Sequence, residues 1–295
     1  MGSLTAVYLH EGNQDYLKIA ILSSKKVGIK AVLLGDESNK SFCDKWRLMS
    51  NYEHPLYKKF CENYTHYSSN GEEFELRCFK RYFTLLKYME NENLNEVLML
   101  DSDTIFVYPI PDNYFSGVDV ALSIHERQDL YRWSICPHCS YWTYSSLKEF
   151  VEFIVYTYKE NDSSIVDKWK YHKENNIKGG ICDMTLLYLW SVQTEKKILN
   201  TAIAREGYVI DNSFSSSENY TDDEYSYSRL LRIKRLKKVN GKLYFTKKDG
   251  EIIRPILIHC QGGAKNLMKS IIKNNIFEIR ISRIIFIVKR VLGYA

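Results

Sequence analysis

Apolar and polar residues alternate in two rhythms along this chain, and each change of rhythm marks an element. Residues 5–9 (TAVYL) are a short apolar run followed by Gly12-Asn13, which predicts a buried strand and a turn. Helical spacing then runs to about Lys26, and residues 30–35 (KAVLLG) predict a second strand that ends before Asp36. Strand, helix and strand in so short a span form a βαβ unit, hence a parallel sheet. Residues 40–70 are mixed and Tyr-rich and predict short helices. From 73 to 90, Cys78, Tyr82, Leu85, Leu86 and Met89 recur at helical spacing. Residues 96–100 (EVLML) read as a strand that stops at Asp101-Ser102-Asp103, with a short strand after it at Thr104–Val107. Further strands are predicted at 118–124 and 138–144, and a helix at 146–160. A glycine break at Gly179-Gly180 precedes a helix at 183–193. Residues 211–228 predict a polar, acidic loop, and 255–260 (PILIHC) the last strand; 266–292 are Ile-rich with interspersed Lys and Arg. With no internal repeat and no clean linker, the pattern predicts an α/β domain over 1–265 and a helical appendage over 266–295.

Composition narrows the class. The chain has 295 residues, 45% hydrophobic and 26% charged, which excludes disorder, a collagen-like repeat and a disulfide-stapled mini-protein. The net charge of +5 hides an asymmetry: from Arg229 onward 17 Lys/Arg face only Asp249, Glu251 and Glu278, so the remainder is net acidic. A basic tail on an acidic body predicts an anionic partner at the C-terminal end: membrane lipid, nucleic acid or a phosphorylated ligand. The seven cysteines are odd in number and unpatterned, and no signal-peptide pattern opens the chain, so free thiols in a reducing cytoplasm are expected. Gly2 does not start a myristoylation motif, because position 6 is Ala. No run of 18 apolar residues predicts a membrane span.

The chemistry concentrates at two strand ends. Asp101 and Asp103 close a fully apolar strand, where an open α/β sheet binds ligands. Two anions there call for a partner, and Mn2+ or Mg2+ takes carboxylate oxygens and completes its shell with substrate phosphates; the simpler alternative is a turn cap. His259-Cys260-Gln261-Gly262-Gly263-Ala264-Lys265 follows the last strand, with an imidazole ligand, permissive glycines and a lysine able to reach a diphosphate. Gly179-Gly180-Ile181-Cys182-Asp183 enters a helix, where Asp183 either caps or faces a cleft. Cys136-Pro137-His138-Cys139 lacks both a thioredoxin setting and two further zinc ligands. The run RLLRIKRLKK (229–238) has no accompanying nucleic-acid motif, so no nucleic-acid partner is expected.

Taken together, the strand-end DSD, the GG-x-x-D string and the terminal HxxGxxK resemble a metal-dependent nucleotide-sugar glycosyltransferase of the GT-A fold, nearest to the retaining glycogenin and lipopolysaccharide galactosyltransferase group. The segments YLHEGNQDYLKIAIL, KAVLLGDESN and FELRCFKRYF are similar to bacterial sugar transferases of polysaccharide gene clusters. The resemblance implies a Rossmann-like, mostly parallel sheet flanked by helices. It implies metal binding by Asp101, Asp103 and His259, with Asp101 also on the ribose. Gly262 and Lys265 would hold the diphosphate and Arg81 the donor, with His10, Gly12, Asn13, Asp36 and Ser102 as further donor residues. Asp183 would be the catalytic residue, facing the transferred sugar or the acceptor, and Gly179, Gly180 and His125 would contact the acceptor. The implied substrates are a UDP-sugar and a glycan or lipid-linked glycan, with stereochemistry leaning towards retention. Asn266-Leu267 and Met184 depart from that group's Pro-Trp and Gln.

Two other readings compete. A sugar nucleotidyltransferase needs a Gly-rich basic loop after strand one, where this chain has His10-Glu11-Gly12-Asn13. A non-catalytic nucleotide- or glycan-binding protein is the other. For the tail, a basic, partly amphipathic helix fits either peripheral attachment to the inner face of an anionic membrane or packing of its Ile face on the domain.

Overall fold

The computed structural model describes residues 4–221 and 224–292. Gly2, Asp222-Asp223 of the acidic loop and the last three residues of the appendage lie outside them. The chain opens with β1 (Thr5–His10), α1 (Asp15–Lys26), β2 (Lys30–Gly35), β3 (Trp46–Leu48), α2 (Pro55–Asn63) and α3 (Glu72–Asn91). It continues through β4 (Glu96–Leu100), β5 (Thr104–Phe106), β6 (Val120–Ile124) and β7 (Ile135–Thr143), then α4 (Tyr144–Lys159), α5 (Ser163–Glu174) and α6 (Asp183–Ser191). Short strands follow: β8 (Ile198–Asn200), β9 (Tyr208–Ile210), β10 (Tyr227–Ser228), β11 (Ile233–Lys234), β12 (Leu236–Val239), β13 (Lys242–Thr246) and β14 (Ile252–His259). The last helices are α7 (Met268–Ile272) and α8 (Ile276–Val291).

The central sheet has the order β3-β2-β1-β4-β7-β6-β8. Its pairs are parallel except where β7 runs against β4 and β6. This mostly parallel α/β architecture is the one the sequence pattern predicts. Side-chain alternation sends Ala6, Tyr8, Leu33, Leu98 and Leu100 into one core layer with α1 and α7. Val7, Val32, Leu34, Val97 and Met99 enter the other layer with α3, α4 and α6. Burial on both faces is why these strands read as unbroken apolar runs. A second sheet, β12-β13-β14-β5 with β9 beside β14, stands apart from the first. β5 therefore leaves the central sheet directly after the Asp101–Asp103 turn.

Several elements differ from the sequence expectation, each for a physical reason. Helix α5 is absent from it because two of its three buried residues, Lys168 and His172, are polar. Strands β8 to β12, two to four residues each, are too short to show a period. The segment 211–228 is polar but not solvated: Asp211, Asn212, Phe214, Asn219 and Tyr225 are buried, and Lys234 of the basic run is fully enclosed beside Asp211. Polar residues that satisfy one another are free to be buried. The tail divides in two. Leu267, Met268 and Ile271 belong to the core layer under α1, and α8 adds Ile279 to it. Among the described residues no helix is long and apolar enough to cross a membrane.

Lys168 is buried with only neutral partners, the Thr185 hydroxyl at 2.8 Å and the Arg132 carbonyl at 3.3 Å. Burial depresses its pKa from 10.5 to about 8. The folded protein therefore binds fewer protons than the unfolded chain between those values, and stability rises with pH across that window. We expect Lys168→Met to remove a rise of up to roughly 3 kcal/mol between pH 8 and 10.5. Urea denaturation of both proteins along a pH series measures the difference, and parallel curves would contradict it.

Candidate metal and donor site at the strand ends

Parallel pairing of β1 with β4 sets Tyr8 opposite Leu100, so His10 and Asp101 leave the sheet at the same edge. Asp101 N–H donates to the His138 carbonyl on β7 at 2.8 Å, which extends the ladder one residue past the strand. The chain then turns sharply, with the Thr104 hydroxyl donating to the Asp101 carbonyl at 2.7 Å. β5 pairs antiparallel with β14, placing Thr104 opposite His259, and Cys260 N–H donates to the Asp103 carbonyl at 2.8 Å. Residues 156 positions apart in the numbering thus meet through two strands of backbone hydrogen bonds.

The His259 ring is tightly held. Its Nδ1 lies 2.6 Å from the Asn212 carbonyl and can only donate to it. In the neutral ring Nε2 then carries a lone pair, and it faces Asp103 Oδ1 at 3.3 Å. A lone pair and a carboxylate repel unless a proton or a metal cation lies between them. Burial opposes charge on His259, but the hydrogen bond and charge of Asp103 outweigh it and hold its pKa above the ordinary value. Burial alone would raise Asp103; His259 and the Lys265 ammonium, 3.3 Å from Oδ2, bring it down to about 2. Burial raises Asp101 and the charge of Asp103 adds to it, with Arg81 opposing.

His138 stacks face to face on His259, with ring centroids 4.3 Å apart and planes 1° from parallel. Burial, reinforced by the charge of His259, keeps His138 neutral. Beneath them, Asp211 accepts from His259 N–H at 3.2 Å and pairs with the buried Lys234 ammonium. The sequence reading missed His138, Asp211 and Asn212. A histidine inside the apolar strand β7 was the available signal for the first; a polar loop far along the chain carries none for the others.

Arg81 of α3 joins the two remaining carboxylates. Its Nη1 donates to Asp101 Oδ1 at 2.9 Å, and Nη2 to Asp183 Oδ2. The Tyr82 hydroxyl donates to the same Asp183 oxygen at 3.0 Å, and Met184 N–H to Oδ1 at 2.9 Å. Asp183 is buried at the start of α6 and is committed to Arg81 as well as to its own helix terminus. A cavity of about 420 Å3 opens beside Arg81, lined by Leu9, His10, Glu11, Tyr16, Met49, Phe74, Arg77, Cys78 and Lys80 as well. The Lys265 ammonium lies over the Tyr16 ring at 4.7 Å, which links the cavity to Asp103.

The other expected residues fall as follows. Gly12 N–H donates to Asp36 Oδ2 at 2.6 Å, and Asn39 ties the carbonyls of His10 and Gly12, so Asp36 holds the loop that carries Gly12 and the exposed Asn13. Ser102 lies half-buried in the turn between the two aspartates, and Gly262 opens a 3-10 turn that ends at Leu267. Gly180 packs so tightly on Tyr67 and Ser68 that a Cβ would overlap the Tyr67 carbonyl, and Gly179 exchanges hydrogen bonds with Ser69. His125 accepts from Arg127 N–H at 3.0 Å, and its ring meets that of Tyr220. These contacts fix the positions of Gly179, Gly180 and His125 in the fold.

The ligand atoms of Asp101, Asp103 and His259 lie within 4.8 Å of one another. The two carboxylates suit Mn2+ or Mg2+, and Nε2 of His259 is aimed at the same point as a third ligand atom. Cys136, His138 and His259 also come within 4.8 Å. Their stacked rings point their lone pairs along parallel planes, however, so an ion in the plane of one imidazole lies out of the plane of the other. Cys136 and Cys139 are free thiols.

No protein-family model matches the chain. None of the curated proteins matches it either. Among solved structures, the chain is similar to the apo form of mouse xyloside xylosyltransferase 1, with TM-score 0.46 and 10% identity over 66% of this chain and 83% of that one. It is similar to a glycosyltransferase involved in glycosylation of the major capsid of PBCV-1, with TM-score 0.36 and 11% identity over 68% and 82%. It is also similar to an active-site mutant of LgtC, with TM-score 0.49 and 12% identity over 95% and 100%.

The Asp211–Lys234 pair has no solvent to fall back on. Removing the carboxylate leaves a buried, unpaired ammonium, so Asp211→Ala should cost roughly 3–5 kcal/mol of folding stability. A loss below about 1 kcal/mol in urea denaturation would mean that the ammonium finds another partner.

Proposed function

We propose that this protein is a divalent-metal-dependent glycosyltransferase that moves a sugar from a UDP-sugar to a glycan or lipid-linked glycan acceptor, with retention at the anomeric carbon. The observation that carries the reading is the convergence of Asp101, Asp103 and the lone-pair face of His259, with Lys265 beside them and a nucleoside-sized cavity next to Arg81. Mn2+ or Mg2+ held by those three residues would supply Lewis-acid neutralisation of the diphosphate. Lys265 is near enough to Asp103 to exchange that carboxylate for a phosphate oxygen, as a point charge on the leaving group. The cavity offers Tyr16, Phe74, Met49 and Leu9 as apolar surface for a base, and Arg77 and Lys80 as cations at its rim.

Both terminal nitrogens of Arg81 are engaged by carboxylates, so Arg81 acts as a bridge that orients Asp101 and Asp183. Asp183 is assigned to hydroxyls of the transferred sugar. Each of the three carboxylates at the site already faces a cation: Asp101 and Asp183 face Arg81, and Asp103 faces Lys265. None is free to act as a general base, which favours the retaining course. In that course the acceptor hydroxyl attacks the anomeric carbon as the bond to phosphate breaks, the electron pair leaves on the diphosphate, and a diphosphate oxygen takes the hydroxyl proton.

Mn2+ with UDP should raise the melting temperature of the wild-type protein, and slow hydrolysis of a UDP-sugar should accompany it. Asp103→Ala should lower Mn2+-dependent hydrolysis by at least about a hundredfold with the fold intact. Full activity of that variant, or of the wild type in excess chelator, contradicts the metal reading; stabilisation by Mn2+ and UDP with no turnover of any UDP-sugar favours a non-catalytic nucleotide-binding protein. Asp183→Asn should keep UDP affinity and lose transfer. If it keeps normal turnover and loses only some thermal stability, Asp183 is a helix-terminus residue and nothing more.

A further inference from the structure

Helix α8 has two apolar faces, and the fold uses one. The inner face is Ile279, Arg283 and Phe286. Ile279 is buried, and Phe286 lies so close to Gly263 that a Cβ there would overlap its ring. The Arg283 guanidinium donates to the carbonyls of Leu231 and Arg232 at 2.8 and 3.3 Å. These contacts fix the rotation of the helix about its axis. They also account for the irregular wheel of this segment, since Ile279 and Phe286 fall outside the stripe of the other apolar residues because they face the protein.

The outer face is Phe277, Ile281, Ile284, Ile285 and Val288, each between 40% and 73% exposed. At 100° per residue these positions fall within a stripe roughly 100° wide, opposite the inner face. Soluble surfaces rarely leave so many large aliphatic side chains together in water. Across a groove of about 530 Å3 from this stripe stands Leu230, 75% exposed. The groove carries Arg235, Lys237 and Arg280. On the helix itself, exposed Arg280 and Lys289 flank the stripe on either side, and its one acid, Glu278, is paired with Lys273 at 3.2 Å.

We propose that α8 and the Leu230 turn form a docking surface for an anionic phospholipid bilayer, with the outer stripe entering the acyl boundary and the flanking cations meeting the headgroups. Charge decides the occupant. A second copy of the chain on this face would set the same cations against themselves, whereas an anionic lipid surface satisfies them and takes up the apolar stripe at once. The surface is independent of the transfer chemistry proposed above, and its test needs no donor.

Truncation after Lys265 would remove core residues Leu267, Met268 and Ile271, so point variants of the full chain are the right probe. The full-length protein should cosediment with phosphatidylcholine vesicles that contain phosphatidylglycerol, far less with phosphatidylcholine alone, and release as salt is raised. Combined Ile281→Glu, Ile285→Glu and Val288→Glu should weaken that binding at least about tenfold and leave the thermal unfolding midpoint and UDP affinity unchanged. Phe277→Trp gives a second reading: its emission should shift to the blue on adding the anionic vesicles and not on adding neutral ones. No vesicle binding, binding indifferent to the Glu substitutions, or a solution dimer that those substitutions dissociate would each overturn the proposal. Failure here leaves the metal and nucleotide tests untouched.

Discussion

Three carboxylates meet at the ends of β4 and α6, and the surrounding structure is arranged to neutralise them. Asp101, Asp103 and Asp183 lie close enough to repel, in a site where two of them are largely shielded from water. Like charges a few ångströms apart cost about 4 kcal/mol near a protein surface. Arg81, His259 and Lys265 answer them, and each arrives from a different element: α3, the end of β14 and the turn after it. The constraint is therefore tertiary. The anions come almost as a unit from one strand end and one helix start, while their compensation depends on β5 leaving the central sheet to pair with β14.

A second layer of polar groups makes that compensation rigid. Lys234 pairs with Asp211, which holds the His259 backbone; Asn212 holds the His259 ring, and Asn219 donates to the carbonyls of Ala202 and Ile210. His138 covers the open face of the ring. These bonds aim one nitrogen at one carboxylate with little freedom to turn, while the buried Asn212 Oδ1 and His138 Nε2 find no hydrogen-bond partner among the described residues. For a site that would bind a cation through that nitrogen, the arrangement supplies orientation in advance.

The turn that carries Lys265 is shared between two structures. On one side it faces Asp103; on the other, Gly263 receives Phe286 of α8. The charged site and the exposed apolar helix are thus back to back across a few residues of chain. The basic residues after Arg229 divide accordingly. Lys234 is spent inside the fold and Arg283 on backbone carbonyls, while Arg280, Lys289 and Arg290 stay in solvent.

Local pattern was enough wherever apolar groups decide the structure. β1, β2 and β4 are legible because strands buried on both faces must be apolar at every position, and α3 because its buried residues recur at 3.6. Asp101-Ser102-Asp103 and His259 to Lys265 were legible as chemistry because charge at the end of an apolar strand demands a partner, and the partners converge as that demand requires. What stayed hidden is polar burial. Lys168 and His172 conceal α5, Asp211 and Lys234 sit in segments that read as solvated, and His138 reads as one more strand residue. The tail read as one irregular amphipathic stretch because the half that is core and the two faces of α8 overlap in a single wheel. An apolar side chain is buried by its own transfer free energy, which sequence carries. A polar one is buried only when a partner distant in the chain is brought to it, and only the folded arrangement decides which partner arrives.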